Sequence, residues 1–262
     1  MDIKPKKSLG QNFLVDKDII NKIIDSADIE NKEILEIGPG TGNLTESIIK
    51  KNPKKLYVIE KDNNLALLLK EKFNGSINII NDDVLKISEE KISKNKLTVF
   101  GNLPYNISTE ILSSWIVNLK KNIWFDKLIL MFQKEVADRI IAKTNSSNYG
   151  RLAILTNWKL EVDKIIDIKP QSFFPKPKIE SSLLVFYPKE KFFYLKNPKN
   201  LEKITRVFFS QRRKMLKKPF KQIFNDKIEI SKKLNIDLNL RPQNLNPEKY
   251  YELTNEYENL TS

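Results

Sequence analysis

The sequence predicts an α/β fold, a doubly wound and mostly parallel sheet with helices on both faces, followed by a small all-helical C-terminal domain. Three observations carry that expectation. Short apolar runs alternate with helical periodicity from residue 33 to residue 142, the pattern of strand–helix–strand units. A Gly-rich turn, Gly38-Pro39-Gly40-Thr41-Gly42, joins the first of those strands to the helix behind it. Beyond Pro188 strand formers become scarce while helical spacing persists.

Asp16–Ala27 reads as a helix, with Ile19, Ile20, Ile23 and Ile24 at helical spacing behind Asp16 as a cap. Glu33–Ile37 reads as a strand, Leu44–Lys51 as a helix, Lys55–Glu60 as a strand and Asn63–Phe73 as a Leu-rich helix. Ile77–Ile80 is a third strand closing on Asp82-Asp83. Leu97–Phe100 is the fourth, followed by Gly101-Asn102-Leu103-Pro104-Tyr105. Helical spacing returns in 107–118, a fifth strand is expected at Leu128–Phe132, and a helix at Lys134–Ala142. Two further strands within 161–187 flank a Pro-interrupted loop, and segments 199–221 and 246–258 read as helical. The expected domains are 1–189, whose residues 1–30 form a segment and helix over the ligand site, and 190–262. In sheets of this kind ligands bind at the carboxyl ends of the strands. Gly38, Glu60, Asp83 and Asn102 stand at four successive ones.

Composition narrows the chemistry. The 262 residues include no histidine and no cysteine. A Ser-His-Asp triad, an imidazole base, a thiolate nucleophile and any His- or Cys-ligated metal are therefore excluded, and no metal is expected. Forty-six Lys and Arg against 33 Asp and Glu leave a net charge of +13. That total fits a polyanionic partner or a Lys-rich background equally well, so its distribution decides. Ten basic residues in 196–221 face Glu202 alone, which places +9 in 26 residues. A solvated helix face usually mixes signs. The segment therefore reads as a nucleic-acid surface, with Arg206, Arg212, Arg213, Lys214, Lys217 and Lys218 as candidate contacts. Phe208, Phe209 and Phe220 anchor it from behind. No apolar run approaches the ~20 residues that span a bilayer. No apolar stretch follows Met1–Lys7 either, so a cytoplasmic protein is expected.

The glycine turn is spaced G-x-G-x-G rather than as the dinucleotide motif G-x-G-x-x-G. Glycines there let backbone approach a cofactor without a Cβ in the way, which assigns Gly38 and Gly40 to cofactor binding. No basic residue lies between Glu36 and Thr45, so a pyrophosphate sits poorly there, whereas a sulfonium with an amino-acid tail is welcome. Glu60 follows the last glycine by 18 positions and suits two ribose hydroxyls. Asp82 or Asp83 suits an adenine amino group. The set fits S-adenosylmethionine better than NAD, and with it a Rossmann-like methyltransferase sheet.

Asn102-Leu103-Pro104-Tyr105 is the sharpest motif. Methylating an exocyclic amine requires countering the conjugation of its lone pair with the ring. Two acceptors aimed at its two N–H hydrogens do this, the Asn102 side-chain oxygen and the Leu103 carbonyl. Pro104 constrains the turn, and Tyr105 offers a face for an extruded base, worth ~1–3 kcal/mol. Phe173 is a candidate second stacking face or, equally, a core residue.

These residues resemble a known family along essentially the whole chain. Gly10-Gln11-Asn12-Phe13-Leu14, Glu36 to Gly42, Gly101 to Thr109, Gln133 to Ala137, Tyr149 to Leu152, Phe173 to Ile179 and Arg212-Arg213-Lys214 occur in order without a large insertion. The chain resembles the bacterial small-subunit ribosomal RNA adenine N6,N6-dimethyltransferases linked to kasugamycin sensitivity. The resemblance implies dimethylation of two adjacent adenosines near the 3′ end of 16S rRNA, late in small-subunit assembly, by a monomer acting on the pre-30S particle. It also implies that Asn12 and Leu14 contact S-adenosylmethionine, with Gly38 at its methionine part, Glu60 at its ribose, Asp83 at its adenine and Asn102 at both cofactor and amine. The chain departs from the pattern in its short basic arm, Lys4, Lys6 and Lys7, and in Met215, where the family commonly has a small polar residue.

Two other readings compete. The sister group that dimethylates large-subunit rRNA shares fold and chemistry, and Leu103 with the compact helical C-terminus leans away from it. An assembly factor with secondary catalysis is the second. A DNA adenine methyltransferase usually carries an acidic residue where Asn102 stands, and an NAD oxidoreductase has no use for Asn-Leu-Pro-Tyr.

Overall fold

A computed structural model describes residues 5–6, 9–120, 122–225 and 227–261. Lys4 and Lys7 of the basic arm lie outside them. The elements are β1 (Phe13–Leu14), α1 (Lys17–Ile24), β2 (Glu33–Ile37), α2 (Asn43–Ile49), β3 (Lys55–Ile59), α3 (Asn63–Phe73), β4 (Asn78–Ile80), β5 (Leu97–Gly101), α4 (Ser108–Asn118) and β6 (Phe125–Gln133). There follow α5 (Lys134–Ile140), α6 (Arg151–Lys159), β7 (Leu160–Ile168), β8 (Phe173–Phe174), β9 (Ser181–Pro188), α7 (Lys199–Ser210), α8 (Lys217–Phe224), α9 (Ile228–Lys233) and α10 (Pro247–Thr261). No described helix is long and apolar enough to cross a membrane.

Two compact units emerge. The first takes the described residues of Met1–Ser114, Leu119–Ala137 and Val162–Pro188; the second takes those of Trp115–Asn118, Asp138–Glu161 and Lys189–Ser262. Residues 138–161, which the sequence assigns to the sheet domain, thus cluster with the helical one.

Seven strands of the main sheet run in the order β4-β3-β2-β5-β6-β9-β7. The pairs β3–β4, β2–β3, β2–β5 and β5–β6 are parallel, and β6–β9 is antiparallel. Every residue of β2 and β5 is buried, as central parallel strands require. Asp16 caps α1 by accepting from the amides of Asp18 and Ile19, and Asp62 caps α3 at Asn64. Gly42 opens α2 at φ +80°, and a Cβ there would lie 2.6 Å from the Phe73 ring.

A second, two-stranded sheet has no periodicity by which to find it. β1 pairs antiparallel with β8, matching Phe13 to Phe174 and Leu14 to Phe173 across 160 residues of chain. Val15 N donates to Ser172 O at 2.9 Å and Ser172 Oγ to Asp16 Oδ2 at 2.8 Å, extending the junction. Asn43 Nδ2 donates to Leu14 O at 2.8 Å and ties β1 to the start of α2.

In the helical unit α6 also lacks a sequence signature, because six of its nine residues are buried and no polar face remains. Lys159 at its end is buried and donates to the carbonyls of Ile116 and Val117 at 2.8 and 3.4 Å, capping α4. The segment read as one helix over 199–221 is broken at 211–216, where Lys214 N turns back to Gln211 O. Leu201, Ile204 and Phe208 form the buried stripe of α7, and Phe208 meets Tyr250 of α10 edge-on at 5.7 Å.

Candidate active site

The carboxyl ends of β2, β3, β4 and β5 open onto one cleft, where ligands of such sheets bind. Gly38 and Gly40 line it from β2, Glu60 from β3, Asp82 and Asp83 from behind β4, and Asn102 to Ile107 from behind β5. Leu9 to Phe13 close it from the N-terminal side. Ile37, Ile59, Leu65 and Val84 supply apolar walls. Gly40 sits at φ +59°, and a Cβ there would fall 2.7 Å from the Phe13 ring, so a side chain would collide with the segment that covers the turn.

Glu60 is buried, and both its oxygens already accept backbone amides, Gly40 N at 3.2 Å and Asp62 N at 2.8 Å. A carboxylate offers about four lone-pair sites, so the group retains room for a further donor. Burial raises its pKa, and the amides of Asp62, Gly40 and Lys61 only partly oppose that shift. Asp83 is half-buried; Lys61 pairs with it at 2.8 Å and lowers its pKa, and Leu85 N donates to its other oxygen. Asp82 is exposed and accepts from Asp83 N at 2.7 Å. Among the described residues no three carboxylates gather as a metal site.

Glu36, in β2, is held inside the fold. It is 2 % exposed, accepts from Thr45 Oγ1 at 2.7 Å, and burial pushes its pKa up to about 8. It therefore faces the glycine turn largely protonated at neutral pH and supplies little negative charge to the cleft. The folded-state pKa lies above the unfolded one, so the folded state holds the extra proton. This stabilisation is complete below about pH 4.5 and declines as the pH rises toward about 8. Thermal melts are expected to show the wild type losing Tm across that interval and Glu36→Gln losing less. Parallel slopes for the two proteins would contradict this assignment.

Asn102 is half-buried at the end of β5, and its Nδ2 donates to Asn12 O at 2.7 Å. The amide is thereby oriented, and neither Asn102 Oδ1 nor the Leu103 carbonyl accepts a hydrogen bond from another described residue. Ile107 N donates to Pro104 O and closes the turn. Tyr105 OH meets Ser181 Oγ of β9 at 2.5 Å, which pins the ring, and burial raises its pKa.

Of the residues expected from sequence, Asn12, Gly38, Gly40, Glu60, Asp83, Asn102, Leu103, Pro104 and Tyr105 all line the cleft. Leu14 lines a smaller adjoining hollow with Glu36, Gly38, Asn102 and Met131. Phe173 lines neither; register with Leu14 turns it into the core, 2 % exposed, while Phe174 stands 60 % exposed. Arg206, Arg213, Lys214, Lys217 and Lys218 lie exposed in the helical unit. Arg212 instead turns inward, with Nε donating to Gln243 Oε1 and Nη2 to Ser146 O, each at 3.2 Å. Met215 is 54 % exposed on the same turn. Sequence reasoning missed Gln11, Asp62 and Asn43, whose roles depend on partners far along the chain.

A family profile described as ribosomal RNA adenine dimethylase matches residues 3–259. The chain belongs to that family. It is 69% identical over 260 residues to the "Ribosomal RNA small subunit methyltransferase A" of Pelagibacter ubique (strain HTCC1062), covering 99% of both chains. It is 45% identical over 260 residues to the protein of the same name from Ehrlichia ruminantium (strain Gardel), covering 97% of each. Among solved structures, a dimethyladenosine transferase from Plasmodium falciparum superposes with a TM-score of 0.80 at 27% identity, over 94% of this chain and 98% of that one. The 23S rRNA methyltransferase ErmE, at 21% identity and a TM-score of 0.67, shares the fold over 96% of this chain and all of its own. The α/β methyltransferase architecture expected from sequence is therefore the one this dimethylase has, and it is an enzyme of that class.

Proposed function

We propose that this dimethylase converts N6 of two adjacent adenosines near the 3′ end of small-subunit rRNA to the dimethylated form, with S-adenosylmethionine as methyl donor. The observation that carries this reading is the Asn102 amide. Its nitrogen is committed to Asn12 O while its oxygen and the Leu103 carbonyl stay available at the cleft. Those two acceptors take the two N–H hydrogens of the target amine and favour a pyramidal nitrogen, and the positive charge developing on it is stabilised where they point. The proton leaves to water after transfer, so no histidine is needed. Tyr105, held by Ser181, presents a ring for stacking the extruded adenine.

The cleft fits the cofactor. Gly38 and Gly40 admit its amino-acid part without a Cβ, Glu60 has spare acceptor capacity for ribose hydroxyls, and Asp83 stands beside Val84 for the adenine edge. When bound, S-adenosylmethionine supplies an electrophilic methyl on a sulfonium. Choice of the small subunit over the large rests on the 69% and 45% identical relatives, both named for the small subunit. The exposed cations of the helical unit are assigned to rRNA phosphates. The reading takes the enzyme as a monomer acting on a small-subunit precursor, and a ribosomal substrate supports action in the cytoplasm.

The test is transfer of labelled methyl groups to undermethylated small subunits, large subunits and naked rRNA, with the modified nucleotides mapped. Label on adjacent adenosines of small subunits is expected. Label confined to large subunits overturns the assignment.

A further inference from the structure

The N-terminal segment is fastened over the cleft at one buried carboxylate. Asp62 is 4 % exposed, and besides capping α3 it accepts from Lys6 Nζ at 2.8 Å and from Gln11 Nε2 at 3.1 Å. Lys6 N in turn donates to Gln11 Oε1 at 2.7 Å, so the two segment residues are bound to each other as well as to Asp62. Salt-bridging and hydrogen bonding from Lys6 and Gln11 outweigh burial and keep the Asp62 carboxyl ionised, its pKa lowered.

Two connections make this more than a tether. At one end, the Asp62 amide donates to Glu60 Oε1, the carboxylate assigned to the ribose. At the other, the residue after Gln11 is Asn12, whose carbonyl orients the Asn102 amide. Gly10 is confined between them, since a Cβ there would sit 3.0 Å from Asn106 Oδ1. The cofactor end and the reacting end of the cleft are thus joined through a strap made of Lys6 and residues 9–12, with Asp62 as its anchor.

We propose that Asp62 is a positioning residue that latches Lys6 and residues 9–12 over the bound cofactor and, through Asn12, holds the Asn102 amide in its working orientation. It touches neither the target amine nor the transferred methyl. Opening the latch frees the cofactor's exit, and closing it sets the amide. This rests on the methyltransferase reading above.

Asp62→Asn keeps the oxygen that caps α3 but loses the charge facing Lys6 and sets an amide NH₂ against that of Gln11. Hydrogen bonds to charged groups of this kind support an expected loss of about 10- to 100-fold. It is expected in the dissociation rate of S-adenosylhomocysteine, measured by stopped flow with no RNA present, and also in kcat at saturating cofactor. Amide exchange across residues 9–14 is expected to accelerate while Tm stays near the wild type. Adding Gln11→Glu to Asp62→Asn reverses the donor and acceptor and is expected to recover most of both losses. A dissociation rate and kcat unchanged in Asp62→Asn overturn the latch, as does a double variant that recovers nothing while folding normally. Wild-type protein that binds no S-adenosylhomocysteine overturns the methyltransferase reading instead, so the two failures are distinct.

Discussion

Asn102→Ala is expected to lower kcat for methyl transfer by on the order of 10²- to 10³-fold while leaving affinity for RNA nearly intact. Removing one fixed electrostatic partner of a developing charge costs about that much in a water-excluded site. Here the substitution removes the acceptor oxygen and also the donor that meets Asn12 O at 2.7 Å, leaving the carbonyl of the strap unpaired. Asn102→Asp separates the two effects. It retains an acceptor but sets a carboxylate against the Asn12 carbonyl, so its activity is expected between those of the wild type and the alanine variant. Single-turnover kinetics on undermethylated small subunits measure this. Near-normal turnover by Asn102→Ala would remove the amide from the mechanism.

The second large effect belongs to the helical unit. Replacing Arg213, Lys214, Lys217 and Lys218 together by Gln is expected to weaken rRNA binding on the order of 100-fold near physiological salt. The slope of log affinity against log salt should flatten by about 0.7–0.9 for each phosphate that these cations no longer neutralise. All four are exposed and none of them forms an ion pair with another described residue, so the fold should survive. Arg212 belongs to a different experiment. Its guanidinium bridges Gln243 and the Ser146 carbonyl, and Arg212→Gln should lower the unit's thermal stability along with any weakening of RNA binding. An unchanged salt slope in the fourfold variant would detach this surface from RNA.

Elements decided by local patterning were legible in advance. β2 and α3 have the expected limits, and β3, β4, β5 and α4 differ by a residue or so at an end, because apolar period and capping residues are short-range properties. The ligand-facing positions followed from them: once the strands were placed, Gly38, Glu60, Asp83 and Asn102 had to meet at one edge of a parallel sheet. The missing histidines and cysteines had already fixed the kind of chemistry that edge can support. α6, with six of its nine residues buried, had no polar face to announce it.

Side-chain direction was decided elsewhere. Phe173 and Phe174 are adjacent aromatics with no local property to separate them, and only the pairing with Leu14 and Phe13 sends one inward and leaves the other out. Glu36 carries a charge in the sequence that Thr45 and the surrounding burial largely suppress at neutral pH. Arg212 and Arg213 are neighbours in one basic run, yet one is spent on Gln243 and Ser146. Asp62 looks like an ordinary helix cap until Lys6 and Gln11 arrive from more than fifty residues away. By itself, the sequence determined the strands, the turn and the residue types at the cleft, since these depend on backbone preferences within a few residues. The aim of the Asn102 amide, the closure of the segment over the cleft and the choice of which cations face outward were decided by tertiary structure. Each depends on hydrogen bonds or register between segments distant in the chain, and these exist only once the chain has folded.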